Sequence, residues 1–230
     1  MMVTAATSTT AAKDFAAARR FMVDGQIRTN KVTDERLIEA LVDLPRERFV
    51  PPAQQARAYI DDDLPLGNGR YLMEPMVLAR LVQTLQVKAG DRVLVVGAAG
   101  GYGAALLARL GASVTALESD PALASFARTA LTGNSSGVNV VTGDLREGYA
   151  QGGPYSAILI EGAVAEIPAR LLEQLKQQGK LVTVLRDNDV VVGHAVLVTR
   201  GEGGAAGTRI LFDANTRLLA GFEPTPSFAF

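Results

Sequence analysis

From residue 92 onward the chain alternates short apolar runs with helical stretches, and this alternation constrains its fold more than any other feature. VLVV (93–96), SVTALE (113–118), VNVVT (138–142), SAILIE (156–161) and KLVTVL (180–185) read as strands. Residues 102–110, 121–131 and 168–177 read as helices. Strands separated by helices pair in parallel, because each connection must cross back over the sheet. VVVGHAVLVT and TRILFDA, divided by the flexible RGEGGAAG, read as an antiparallel hairpin closing one edge, followed by a proline-broken tail, GFEPTPSFAF. The expected class is α/β, a doubly wound, mostly parallel sheet with a C-terminal antiparallel hairpin and N-terminal helices.

The first ninety residues do not alternate in this way. Residues 14–28 carry Phe15, Arg19 and Met22 at helical spacing, and Thr33 can cap a helix bearing Leu37, Ile38, Leu41 and Val42 on one face. DDDLPLGNGR (61–70) reads as a loop, and Glu74-Pro75 opens another helix, since proline suits the first helical turn. The organisation expected is a disordered extension over 1–13, a helical segment with a substrate loop over 14–90, and an α/β core with hairpin and tail over 91–230.

Composition narrows the chemistry. With 48% apolar residues in 230, one sizeable core is affordable. Lys and Arg number 23 against 24 Asp and Glu, with no run of five like charges, so neither a nucleic-acid footprint nor a polybasic membrane patch is expected. Cysteine is absent and histidine occurs once, which removes disulfides, thiolate chemistry and most zinc sites; no metal is expected. His194 falls inside a strand pattern away from the sheet's carboxyl end. No apolar stretch reaches a bilayer span, and a soluble cytoplasmic protein is expected.

In an open parallel sheet, ligands lie beyond the carboxyl ends of the strands. The first such end is GAAGGYG, where Gly97, Ala98, Ala99 and Gly101 lack bulk and let a ligand approach the backbone. A dinucleotide fingerprint needs glycine at 97, 99 and 102, and the chain has Ala99 and Tyr102, so a nicotinamide cofactor is a poor fit. Glu118 ends the next strand, 21 positions after Gly97, near the offset of ~20 at which an acid meets ribose hydroxyls in such folds. Asp144, followed by Leu145, ends the third and could accept from an adenine amino group or simply form an Asx turn. Glu161 ends the fourth, at the mouth of the crevice.

VLVVGAAGGY, Glu118, GDLREG and IPARLLEQLKQQGKLV resemble the S-adenosylmethionine-dependent methyltransferases, specifically the protein-L-isoaspartate O-methyltransferases. PRERFVP (45–51) and AYIDDDLPLGNG (58–69) extend the resemblance into the N-terminal half. It implies a Rossmann-like methyltransferase fold, S-adenosyl-L-methionine as cofactor on Gly97, Ala98, Ala99, Gly101, Glu118, Asp144 and Leu145, and a protein or peptide acceptor with an isoaspartyl carboxylate. Where the family carries Gln-Thr-Ile-Ser-Gln-Pro, this chain has Arg70-Tyr71-Leu72-Met73-Glu74-Pro75, so Met73 stands for the serine at the transfer site and Glu74 adds an acid. Two carboxylates 4 Å apart at an effective dielectric of ~20 repel by ~4 kcal/mol, enough to oppose a carboxylate acceptor. Val95 replaces the family's acid before the turn, and Ala99 its second glycine. Met73, Glu74 and Glu161 are the candidate catalytic-site residues. The departures keep two alternatives open: a different, small-molecule, apolar or cationic acceptor, or a non-catalytic nucleoside-binding scaffold.

Overall fold

The computed structural model describes residues 14–187, 190 and 192–223. The extension over 1–13 and the last residues of the tail lie outside these. Residues 14–22 form α1, which continues as a π turn (Val23–Ile27) and a 3-10 turn (Arg28–Asn30). α2 (Glu35–Asp43) is capped by Asp34, whose carboxylate accepts from the Arg36 amide, and not by Thr33. The expected loop at 61–70 is instead a small hairpin, β1 (Leu64–Gly67) and β2 (Arg70–Leu72), because Leu64, Leu66 and Leu72 bury their side chains and pull the flanking backbone into register. α3 (Pro75–Leu85) begins at the expected proline.

The alternating part forms β3 (Arg92–Val96), α4 (Tyr102–Arg109), β4 (Ser113–Glu118), α5 (Pro121–Leu131), β5 (Val138–Thr142), β6 (Tyr155–Val164), α6 (Ala169–Glu173), β7 (Leu175–Leu185), β8 (Gly193–Arg200) and β9 (Ala206–Ala214). These strands make one seven-stranded sheet in the order β5-β4-β3-β6-β7-β8-β9, parallel through β7, with β8 and β9 antiparallel at the edge. The expected fold class is therefore the one observed. The helix expected over 168–177 is only five residues, since Leu175 already pairs with Tyr155 in the sheet. β6 runs past Glu161 to Val164, across a register shift relative to β7 between Leu159 and Ala163. His194 pairs with exposed Asp213 on the hairpin. No helix among the described residues is long and apolar enough to cross a membrane.

Candidate active site

The turn after β3 is built for close approach. Gly97 has φ 72°, and its amide and that of Ala98 both donate to the Leu117 carbonyl at 3.0 Å, fixing the turn onto the end of β4. Ala99 also lies in the left-handed region, at φ 47°, which is costly for a residue with a Cβ. What holds it there is its amide, which donates to Glu118 Oε2 at 2.9 Å.

Glu118 is wholly buried at the end of β4, and both its oxygens accept hydrogen bonds. Besides Ala99, the amides of Ser119 and Asp120 donate to Oε1 at 2.8 and 3.0 Å, and Arg70 Nε donates to the same oxygen at 3.1 Å. Arg70 comes from β2 and is itself buried; its Nη2 donates to Ser119 Oγ at 2.6 Å and its Nη1 to the Ala220 carbonyl at 3.2 Å. An arginine from the small hairpin thus occupies the face of the acid that the crevice would offer to a ligand.

The tail supplies the second occupant. Residues 216–222 cross the carboxyl ends of β3 and β6: Ala163 N donates to Arg217 O at 2.8 Å, Leu219 N to Ala163 O at 2.8 Å and Ala165 N to Phe222 O at 3.1 Å. Asp63 latches this segment to the N-terminal region. One carboxylate oxygen accepts from Thr216 Oγ1 at 2.6 Å and Arg217 N at 2.8 Å, and the other from Glu74 N at 2.8 Å. Leu219 packs so closely that a Cβ on Gly97 would stand 2.8 Å from its side chain, and one on Gly162 2.9 Å. Residues 216–222 are accordingly a strap over the crevice, while most of the expected irregular tail, residues 224–230, lies outside the described residues. Beyond it, at the end of β5, a cavity of about 420 Å³ is lined by Ser119, Gly143, Asp144, Leu145, Arg146 and Phe222 among others. Asp144 is exposed there, with Oδ1 accepting from Arg146 N at 2.8 Å in an Asx turn.

Glu161 lies on β6, across β3 from Glu118. Glu161 is not at a mouth: β6 continues beyond it, and it is 2% exposed against α4, where a Cβ on Gly103 would meet Oε1 at 2.1 Å. Neither of its oxygens has a hydrogen-bond partner among the described residues, and burial first, then the charge of Glu118, pushes its pKa up to about 8 despite the opposing pull of Arg46. Arg46 is fully buried and spends Nε on the Ala58 carbonyl and Nη2 on the Met73 carbonyl, at 2.7 and 2.6 Å. Met73 sends its side chain into the core, 1% exposed, so it offers the crevice a backbone carbonyl already taken. Val95 is also core. Glu74 is half-buried, and burial together with Asp61, Asp63 and Asp62 raises its pKa to about 7.

Gly97, Ala99, Glu118 and the strap therefore meet in one place, with Asp144 and Leu145 lining its open end, while Glu161 and Met73 sit beneath it. Arg70, Asp63, Thr216 and Leu219 escaped the sequence reading. Arg70 opens the stretch that ends at Pro75, but its partner is 48 residues away in the chain. S-adenosylmethionine does not fit this groove as folded: Arg70 and two amides already occupy Oε1 of Glu118, the acid expected to meet the ribose, and Leu219 fills the space over the glycine turn.

Residues 18–196 match the model of the protein-L-isoaspartate(D-aspartate) O-methyltransferase family. The chain is 40% identical over 179 residues to the protein-L-isoaspartate O-methyltransferase of Methylorubrum extorquens, covering 78% of each chain. It is 41% identical over 165 residues to that of Methanoculleus marisnigri, covering 71% of this chain and 75% of the relative. Among solved structures, a protein-L-isoaspartate O-methyltransferase superposes with a TM-score of 0.77 at 21% identity, over 89% of this chain and 67% of that one. A beta-aspartate methyltransferase from Plasmodium falciparum, solved with S-adenosyl-L-homocysteine, superposes with a TM-score of 0.69 at 18% identity, over 89% and 97%. On this match and these identities, the chain belongs to the protein-L-isoaspartate(D-aspartate) O-methyltransferase family.

Proposed function

We propose that the chain is an S-adenosylmethionine-dependent methyltransferase that esterifies carboxylates of isoaspartyl residues in damaged proteins, and that its groove opens before the cofactor enters. The observation that carries this reading is the convergence of three consecutive parallel strand ends, at Gly97, Glu118 and Asp144, on one groove in a chain of this family. When bound, the cofactor supplies an electrophilic methyl group. An ionised acceptor carboxylate needs positioning and no general base, which suits a groove without histidine or cysteine.

Glu74 sets the electrostatic condition for that acceptor. Below about pH 7 it is mostly neutral and leaves a carboxylate unopposed; above, it adds a negative charge beside Asp61, Asp62 and Asp63. Transfer to an isoaspartyl peptide, measured in single turnovers with labelled cofactor, should fall as pH rises through about 7, and Glu74→Gln should flatten the profile and raise transfer above pH 8 by roughly tenfold, a barrier change of about 1.4 kcal/mol. Restoring serine at Met73 is not a useful companion, because that side chain is core. A profile that rises with pH and ignores Glu74→Gln would sink this account of the acceptor. The same acidic surroundings favour a second reading, a cationic acceptor such as an amine, for which transfer would instead grow as Glu74 ionises.

A further inference from the structure

We propose that this chain carries its own occupant of the nucleoside groove: Arg70 holds the Glu118 carboxylate, Leu219 fills the space over Gly97 and Gly162, and a ligand enters only when the 216–222 strap lifts. The inference rests on the reading of the groove as a nucleoside site and adds what controls it. Three observations combine. The ion pair is buried on both sides, with Arg70 5% and Glu118 0% exposed, so it is a fixed part of the fold and not a surface contact. Arg70 also binds the strap through the Ala220 carbonyl, so the acid's occupant and the groove's cover are one connected unit. Finally, the strap is latched by a buried side chain from another region, Asp63, whose own loop leads through β1 and β2 back to Arg70.

The closure has a directional consequence. A ligand diol that reaches Glu118 Oε1 displaces a charge-assisted bond, and the guanidinium released loses the Ala220 carbonyl with it. Ligand binding must therefore loosen the strap, the reverse of the ordering that ligands usually impose. The cavity beside Asp144 and Phe222 at the end of the groove is large enough to take a purine-sized group once the strap has lifted.

The test uses the full chain with S-adenosyl-L-homocysteine as the probe. Hydrogen exchange should show the amides of Arg217, Leu219 and Phe222 exchanging at least tenfold faster when the probe saturates the wild type. Calorimetry should show Leu219→Ala, which leaves the ion pair intact, and Arg70→Gln, which keeps a donor toward Glu118 without the charge, each binding the probe at least tenfold more tightly. Equal affinities with unchanged strap exchange would overturn the self-occupied groove while leaving a nucleoside site in place. Absence of binding in folded variants whose strap exchanges faster would overturn both this inference and the cofactor reading on which it stands.

Discussion

Two buried glutamates flank the carboxyl end of β3, Glu118 on β4 and Glu161 on β6, and their surroundings could hardly differ more. Glu118 receives three backbone amides and an arginine. Glu161 receives nothing among the described residues. The difference lies in what the neighbouring backbone has to give. On the Glu118 side two strand-to-helix turns point unspent amides at the acid, as helix starts do. On the Glu161 side no backbone amide donates to the acid among the described residues, its neighbour is the Gly103 Cα in the first turn of α4, and Arg46 has committed two nitrogens to carbonyls. Equal burial thus yields an anchored ion pair on one side and an acid that takes up a proton on the other.

The sharpest way to break the comparison is to neutralise each acid in turn. Near pH 6, Glu118→Gln should cost about 3–5 kcal/mol in urea unfolding, because it strands a buried arginine. Glu161→Gln should cost less than about 1 kcal/mol under the same conditions, since it replaces a group already neutral. Similar costs would erase the distinction. pH sharpens it further. A carboxyl whose folded pKa is raised adds stability fully present below its unfolded value and lost as pH climbs toward about 8, so wild-type stability should decline from about pH 5 to 8. The decline should amount to a few kcal/mol at most and shrink in Glu161→Gln to the smaller part that half-buried Glu74 contributes below about pH 7. A smaller effect follows from packing: Gly103→Ala should destabilise by ~1–3 kcal/mol, and Glu161→Ala should relieve most of that by removing the atoms the new methyl meets. Smallest of all, Ala99→Gly should stabilise the turn by roughly 0.5–1 kcal/mol, as glycine tolerates its positive φ.

How legible the molecule was in its sequence follows the range of the interactions involved. The parallel sheet and its edge hairpin could be read because apolar alternation and turn residues are local signals, and the ends of β3, β4 and β5 matched the expected strand ends. β6 runs three residues beyond the expected end because a strand interrupted by Gly162 and a register shift looks finished at Glu161. The substrate loop became a hairpin because three leucines, weak as a pattern, are strong once a core is present to receive them. Met73 looked like a site residue from alignment alone, whereas burial turned its side chain inward. The groove's closure was invisible for a different reason: Arg70 meets Glu118, and Asp63 meets Thr216, across 48 and 153 residues of chain, distances at which no periodicity carries information.

A groove with the family's frame that is filled by the chain's own side chains should bind its ligand more tightly once those side chains are cut back. Calorimetry of S-adenosyl-L-homocysteine against the wild type, Arg70→Gln, Leu219→Ala and the double variant tests it most directly. The predicted result is a graded series in which the wild type binds most weakly and the double variant more tightly than either single change. One affinity shared by all four proteins would contradict it.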